Sequence, residues 1–219
     1  FEMPSSLTSI GIGAFRGCLK IESIVLPSSI EMIKDNTFRD CSGLLEIEIS
    51  SSLLSIGKFA FCSCTSLSKV TIPNGTKTIE ESAFLECTSL NEITIPESVS
   101  VIGNSAFKDC KVLTKIAIPY RINSIQSQTF YGCESLTKIG ISDSITLIGE
   151  RAFYNCINLA EIRLPLSLTT IANFAFENCS SLIEITIPSS VKSIGESVFY
   201  GCTNLTQISI PSTTTSIET

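Results

Sequence analysis

The sequence contains no histidine and no tryptophan. Without histidine, the commonest general base and the commonest metal ligand are both missing. Charge is scarce as well. Only 16% of residues are charged, and 21 acidic against 15 basic residues give a net charge of −6, with a pI near 4.8. A basic face for phosphate contacts is lacking, which argues against a nucleic-acid partner. No apolar run approaches the ~20 residues needed to cross a bilayer. Mean hydropathy is nevertheless positive, so the apolar residues must be dispersed and buried on folding. The opening stretch FEMPSSLTSI has neither a charged n-region nor an apolar h-region, so no targeting segment is expected in it.

What is present is a period. Phenylalanine recurs at Phe15, Phe38, Phe61, Phe84, Phe107, Phe130, Phe153, Phe176 and Phe199, every 23 residues without a slip. Cysteine follows three positions later each time, from Cys18 to Cys202, and isoleucine precedes each phenylalanine by five, from Ile10 to Ile194. Proline opens most units, with Ser50 and Ser142 in its place in two of them.

One unit reads locally as three pieces. LNEITIP, residues 90–96, alternates inward Leu90, Ile93 and Ile95 with outward Glu92 and Thr94, as a half-buried strand does. Pro96 ends it, because proline cannot donate to a sheet ladder. SVSVIG, residues 98–103, is a second extended piece with Val99 and Ile102 inward. NSAFKDC, residues 104–110, is expected to make one helical turn that places Ala106, Phe107 and Cys110 on the inner side. A unit has no partner within itself to cover these side chains. Stacking units at ~4.8 Å per coil covers them and pairs the strands into a parallel sheet. The expected fold is a β-rich α/β solenoid. It has a parallel sheet on one face, and short extended and one-turn helical segments on the other. Residues 1–219 read as a single array of about nine units, beginning and ending inside a repeat, with Phe1 and Met3 at the positions held by Ile93 and Ile95.

The strand pattern L-x-x-I-x-I-P followed by SVxxIGxxAFxxC over 23 residues resembles the BspA-type leucine-rich repeat, and the likeness runs the length of the chain. Departures are mild. Thr76 and Thr214 replace the aliphatic after proline, and Thr37, Thr129 and Val198 replace the alanine before phenylalanine. The resemblance implies surface or secreted proteins of mucosal bacteria and of parasitic protists such as trichomonads and entamoebae. It implies adhesion, co-aggregation or engagement of host receptors, and no catalysis.

Several features are candidates for function. The ladder cysteines lie 23 apart on different coils, which suits neither a metal cage nor well-aimed disulfides. They read as buried small apolar residues with a weak thiol donor. Cys62 stands where other coils carry Arg16, Lys108 and Glu177 and is expected to face solvent, as a reactive or an accidental free thiol. Outward strand positions form a row that includes Glu46, Lys69, Glu92, Lys115, Lys138, Glu161 and Glu184, with Glu48 and Arg163 in the row beside it. Two readings stand for it: a charge ladder that fixes register, or a ligand-facing strip on a concave sheet. Tyr131 and Tyr154 should be neighbours on consecutive coils, either as an interface pair or as surface cover. Asn74 and Asn204 lie in N-x-T sequons and are candidate glycan sites; Asn178 is the poorest of the three sequons.

These features point to a non-enzymatic, protein-binding surface protein without cofactor or metal. It would present a repetitive rigid face to a host matrix or cell-surface protein, at the cell surface or outside the cell. The alternative is a structural or scaffolding solenoid that self-assembles end to end or packs on other subunits.

Overall fold

A computed structural model describes residues 2–218; the expectation placed on Phe1 lies outside the described residues. Each 23-residue period forms one coil with three walls. On the first wall, three-residue strands pair in parallel. These are β1 (Ser23–Val25), β3 (Glu46–Glu48), β5 (Lys69–Thr71), β7 (Glu92–Thr94), β9 (Lys115–Ala117), β11 (Lys138–Gly140), β14 (Glu184–Thr186) and β16 (Gln207–Ser209). In β3, β5, β7, β9, β11 and β14 the middle residue is buried between two exposed ones, the alternation expected of a half-buried strand.

The second wall is a ladder of two-residue strands: β2 (Met32–Ile33), β4 (Ser55–Ile56), β6 (Thr78–Ile79), β8 (Val101–Ile102), β10 (Ser124–Ile125), β12 (Leu147–Ile148), β13 (Thr170–Ile171), β15 (Ser193–Ile194) and β17 (Ser216–Ile217). From Ile33 to Ile194 its inner isoleucines are almost fully shielded from solvent. Ser52, Ser98, Ser144, Ser167 and Ser190 tie successive coils together just before this wall. Each hydroxyl donates to a carbonyl of the preceding coil, as Ser98 does to Thr76 at 2.7 Å.

The third wall departs from expectation. Residues 104–110 and their equivalents contain no helix among the described residues. Two residues of each interior coil, at two positions before and after the phenylalanine, take left-handed backbone angles, such as Ser105 (φ 55°) and Asp109 (φ 57°). The physical reason lies in the hydrogen bonds. A single helical turn satisfies none of its leading N–H groups. Alternating left- and right-handed residues instead aim every second N–H at the next coil. Ser105, Phe107 and Asp109 donate to Ser127, Thr129 and Tyr131 at 2.7–3.0 Å. The N–H groups of Lys108 and Cys110 close back onto carbonyls three residues earlier. Asn, Asp and Gly occupy many of the left-handed sites, as steric tolerance requires.

Between the walls lies the core. The phenylalanine rings stack from Phe15 to Phe199 with centroids 5.2–5.9 Å apart and planes within 17°. Every ring from Phe38 to Phe176 is fully buried. Beside this spine each ladder thiol from Cys41 to Cys202 donates to the phenylalanine carbonyl of the preceding coil at 3.0–3.2 Å. The cysteines are thus coil-to-coil fasteners as well as core residues.

The stack is not uniform. Neither β7 with β9 nor β8 with β10 shares a sheet, so the hydrogen-bond ladders of both strand walls are interrupted at one coil junction. Arg121 occupies the hydroxyl-donor position there, and a void of about 10 Å³ lined by Ile102, Ile122, Gln126 and Thr129 opens beside it. The third wall and the Phe107–Phe130 stack (5.7 Å) carry the junction. A second gap lies at 161–163, which forms no strand although the second wall runs on beside it.

Candidate functional site

The rows expected on the strand wall exist. Ser23, Glu46, Lys69 and Glu92 are register partners, as are Lys115 with Lys138 and Glu184 with Gln207. Beside them Val25 pairs with Glu48, Thr71 with Thr94 and Ala117 with Gly140. Glu46, Glu48, Lys69, Glu92, Lys115, Lys138, Glu161, Arg163 and Glu184 are all exposed on this wall. One ion pair closes within the row, Lys69 Nζ to Glu92 Oε2 at 3.2 Å. No other carboxylate–ammonium pair forms among these nine residues, so the row is not a continuous charge ladder. Lys115 and Lys138 stand directly opposite each other as like charges.

Two shallow hollows lie on this wall. One, about 450 Å³, is lined by Ser23, Glu46, Glu48 and Thr71. The other, about 530 Å³, is lined by Lys138, Glu161, Arg163, Leu166 and Glu184. In the second the backbone of 161–164 donates no hydrogen bond to a neighbouring coil. Among the described residues, no group of three or more metal-ligating side chains converges.

Tyr131 and Tyr154 are neighbours, with rings stacked at 4.6 Å and 7°. Lys108 Nζ sits 4.4 Å over the outer face of the pair. Both faces of the Tyr131 ring are therefore engaged, one by Tyr154 and one by Lys108. Burial and the neighbouring phenol push the Tyr131 hydroxyl pKa up.

Cys62 is a correction. Only 3% of its surface is exposed, and burial pushes its thiol pKa up. It is the shortest member of its row, between Arg39 and Leu85 of the flanking coils, so its sulfur lies beneath the level those longer side chains define. Asn74 is exposed, while the Thr76 hydroxyl of its sequon is buried and donates to the Leu53 carbonyl at 2.9 Å. Asn204 and Thr206 are both exposed, and Asn178 is half-buried with φ 59°.

Sequence reasoning missed two features on the third wall and the turn that follows it. Lys58–Glu81 at 3.3 Å and Lys111–Glu134 at 3.2 Å are ion pairs across consecutive coils, and both could be read from opposite charges 23 residues apart. Arg39 over Phe59 (5.4 Å) and Arg151 over Phe174 (4.4 Å) repeat a cation–π contact whose aromatic sits two residues before a ladder phenylalanine.

The pattern of the BspA type leucine rich repeat region matches residues 1–114 and 102–219. A leucine-rich repeat protein from Bacteroides ovatus is 28% identical with a TM-score of 0.64, over 99% of this chain and 74% of that one. One from Eubacterium ventriosum is 27% identical with a TM-score of 0.71, over 96% and 65% of the two chains. A leucine rich repeat protein of T. pallidum is 28% identical with a TM-score of 0.63, over 94% and 91%. No curated protein matches the sequence.

Proposed function

The chain belongs to the BspA-type leucine-rich repeat family, and from that premise we propose that it is a non-enzymatic protein-binding module displayed at a cell surface. The observation that carries this reading is the strand wall. Its nine charged side chains stand at fixed rungs on a rigid stack, exposed, and all but Lys69 and Glu92 have no ion-pair partner among the described residues. Such a face binds by many weak contacts acting together, each at a preset spacing. Its hollows are shallow and its charged groups do not converge on one point, which suits an extended partner better than a small substrate. The Tyr131–Tyr154 pair, amphipathic and rigid, is a second contact surface on another wall.

The test is binding of the chain to immobilised fibronectin, fibrinogen and laminin by surface plasmon resonance. It is run with wild type and with a variant whose charges are reversed at Glu46, Lys69, Glu92, Lys115 and Lys138. Saturable binding that the variant loses at retained circular dichroism supports the reading. Unchanged binding removes the strand wall as the contact surface. Mass growth with concentration in sedimentation, without matrix binding, favours a self-assembling scaffold instead.

A further inference from the structure

We infer that the strand wall between Lys115 and Arg163 docks a short acidic segment of a partner protein. This rests on the reading of that wall as a protein-binding face and names the chemistry it selects.

The starting point is a local conflict. Lys115 and Lys138 are register partners in β9 and β11. Their backbones are ~4.8 Å apart, and like charges directly opposed weaken a sheet. Elsewhere the protein resolves such proximity. Lys69 is met by Glu92 on the next coil at 3.2 Å, and Lys111 by Glu134 at 3.2 Å. No carboxylate of the described residues closes on Lys115, Lys138 or Arg163. Glu92, the acid one coil before Lys115, is already engaged by Lys69. In a chain of net charge −6 this leaves three exposed cations on consecutive coils of one wall.

The ground around them suits a close backbone approach. Ala117 and Gly140 lie beside the lysines along the same strands, and Thr114 and Thr137 precede them. None of these side chains is large enough to hold a partner off. β9 and β11 bond to each other and to no further strand of that wall, and the unpaired backbone of 161–164 follows, with Arg163 on it. An extended segment carrying two acidic residues at alternate positions puts both carboxylates on one face, ~6.8 Å apart. Lysine arms rooted ~4.8 Å apart reach both, in charge-assisted hydrogen bonds.

The flanks decide the class of partner. Glu161 and Glu184 line the hollow that Lys138 and Arg163 enter, and Glu46 and Glu48 stand earlier on the same wall. A polymer with an anion on every unit would meet these carboxylates at both ends of the cationic block. A protein segment with two or three acids between neutral or basic residues meets each charge with its opposite.

The experiment uses the full chain and fluorescence anisotropy. Three fluorescein-labelled probes are titrated: a twelve-residue Gly/Ser peptide with a central Glu-Ser-Glu, its Lys-Ser-Lys twin, and heparin. The Glu peptide should bind, and more weakly as salt rises. The K115E/K138E variant should weaken it at least about tenfold, while E46K/E48K, which alters the same wall elsewhere, changes it less than twofold. Equal binding of the Lys twin, or wild-type affinity in K115E/K138E, overturns the inference. Heparin binding more tightly than the Glu peptide and losing affinity in K115E/K138E also overturns it, in favour of a sulfated polymer. Matrix binding by wild type without preference for the Glu peptide sinks this site alone. Glu-peptide selectivity without any matrix binding sinks the adhesive role and leaves the site standing.

Discussion

Replacing Phe107 by alanine probes the stacking that holds the solenoid together. The ring is fully buried and lies 5.6 Å from Phe84 and 5.7 Å from Phe130. A phenylalanine buries ~150–250 Å², which at ~25 cal/mol per Å² gives ~4–6 kcal/mol. A compact denatured chain already hides ~10–40% of that area, which brings the figure to ~3–5 kcal/mol. This agrees with the usual cost of such truncations, ~3–5 kcal/mol including the cavity. The comparison is Tyr200→Ala; that residue is 68% exposed, and its truncation should cost no more than ~0.5 kcal/mol. Urea unfolding followed by far-ultraviolet circular dichroism, in reducing buffer, measures both. The expected result is a large fall in midpoint for Phe107→Ala and almost none for Tyr200→Ala. A loss below ~1 kcal/mol for Phe107→Ala would refute the claim that coils are stable only through their neighbours. A fall in the m-value would mean that the coils on either side unfold separately.

The thiols give a pH prediction. Burial raises the Cys41 and Cys202 thiols from 9.0 to about 11, and lifts Cys87, Cys110, Cys133 and Cys156 well above 9.0. A raised folded-state pKa means that the native state holds its protons longer than the unfolded chain does. The stability is intact below the unfolded value and lost above it, at ~1.4 kcal/mol per pH unit for each shielded thiol. Urea midpoints should be flat from pH ~6 to ~7.5, begin to fall by pH ~8.5 and fall steeply above pH ~9; a flat profile to pH ~11 would contradict it. Ellman's reagent at pH 8 should leave Cys62 and the interior ladder cysteines unmodified until urea is added, and rapid native labelling at Cys62 would reinstate the solvent-facing reading. Hydrogen exchange by NMR should find the amides of Asn123 and Gln126 faster than those of Ser100, Gly103, Thr146 and Gly149. The latter four donate to the preceding coil at 2.8–2.9 Å, whereas the first two make no backbone bond across the interrupted junction. Equal protection would show the junction to be closed.

How far the sequence reached depends on what each wall needs. A period of 23 in Phe, Cys and Ile is a packing signal, and packing was legible: the spine, the inward residues and the register rows stand where the period put them. The third wall was misread because NSAFKDC fits one turn of an amphipathic helix and fits the observed turn equally well. The discriminating residues were present. Gly13, Gly17, Gly132 and Gly201, with Asn36, Asp40 and Asn155, fall two places either side of the phenylalanines, a spacing that asks for left-handed angles. At Gly132 any side chain would also run into the Asp109 carboxylate. Cys62 failed for another reason. Its row faces outward, but depth depends on the length of the flanking side chains, which a one-coil pattern does not carry. Charges within a row were legible, and their pairing was not: Lys69–Glu92 closes while Glu46–Lys69, in equal register, does not.

The irregular coils carry an argument of their own. Three kinds of fastener join one coil to the next: strand ladders, the left-handed turn wall, and side-chain donors from cysteine and serine. Where all are present the outward residues are spare, and nothing in the fold dictates them. Departures from such consistency concentrate where a sequence serves something besides stability. In this chain they bracket one place. Arg121 replaces the small residue before the second wall, β7 and β9 share no hydrogen-bonded ladder, Lys115 opposes Lys138, and 161–163 forms no strand. Each works against the stack between β7 and β14, offset in part by the Tyr120 N–H, which donates to Glu97 Oε2 across the junction at 3.1 Å. Restoring the fasteners there, by Arg121→Ser for the hydroxyl rung and Lys138→Glu for the opposed charge, should raise the urea midpoint of the folded chain. The second change alone should also abolish the preference for an acidic peptide. A midpoint that stays put in both variants would mean that these departures cost nothing, and that stability gives no reason to look for a partner there.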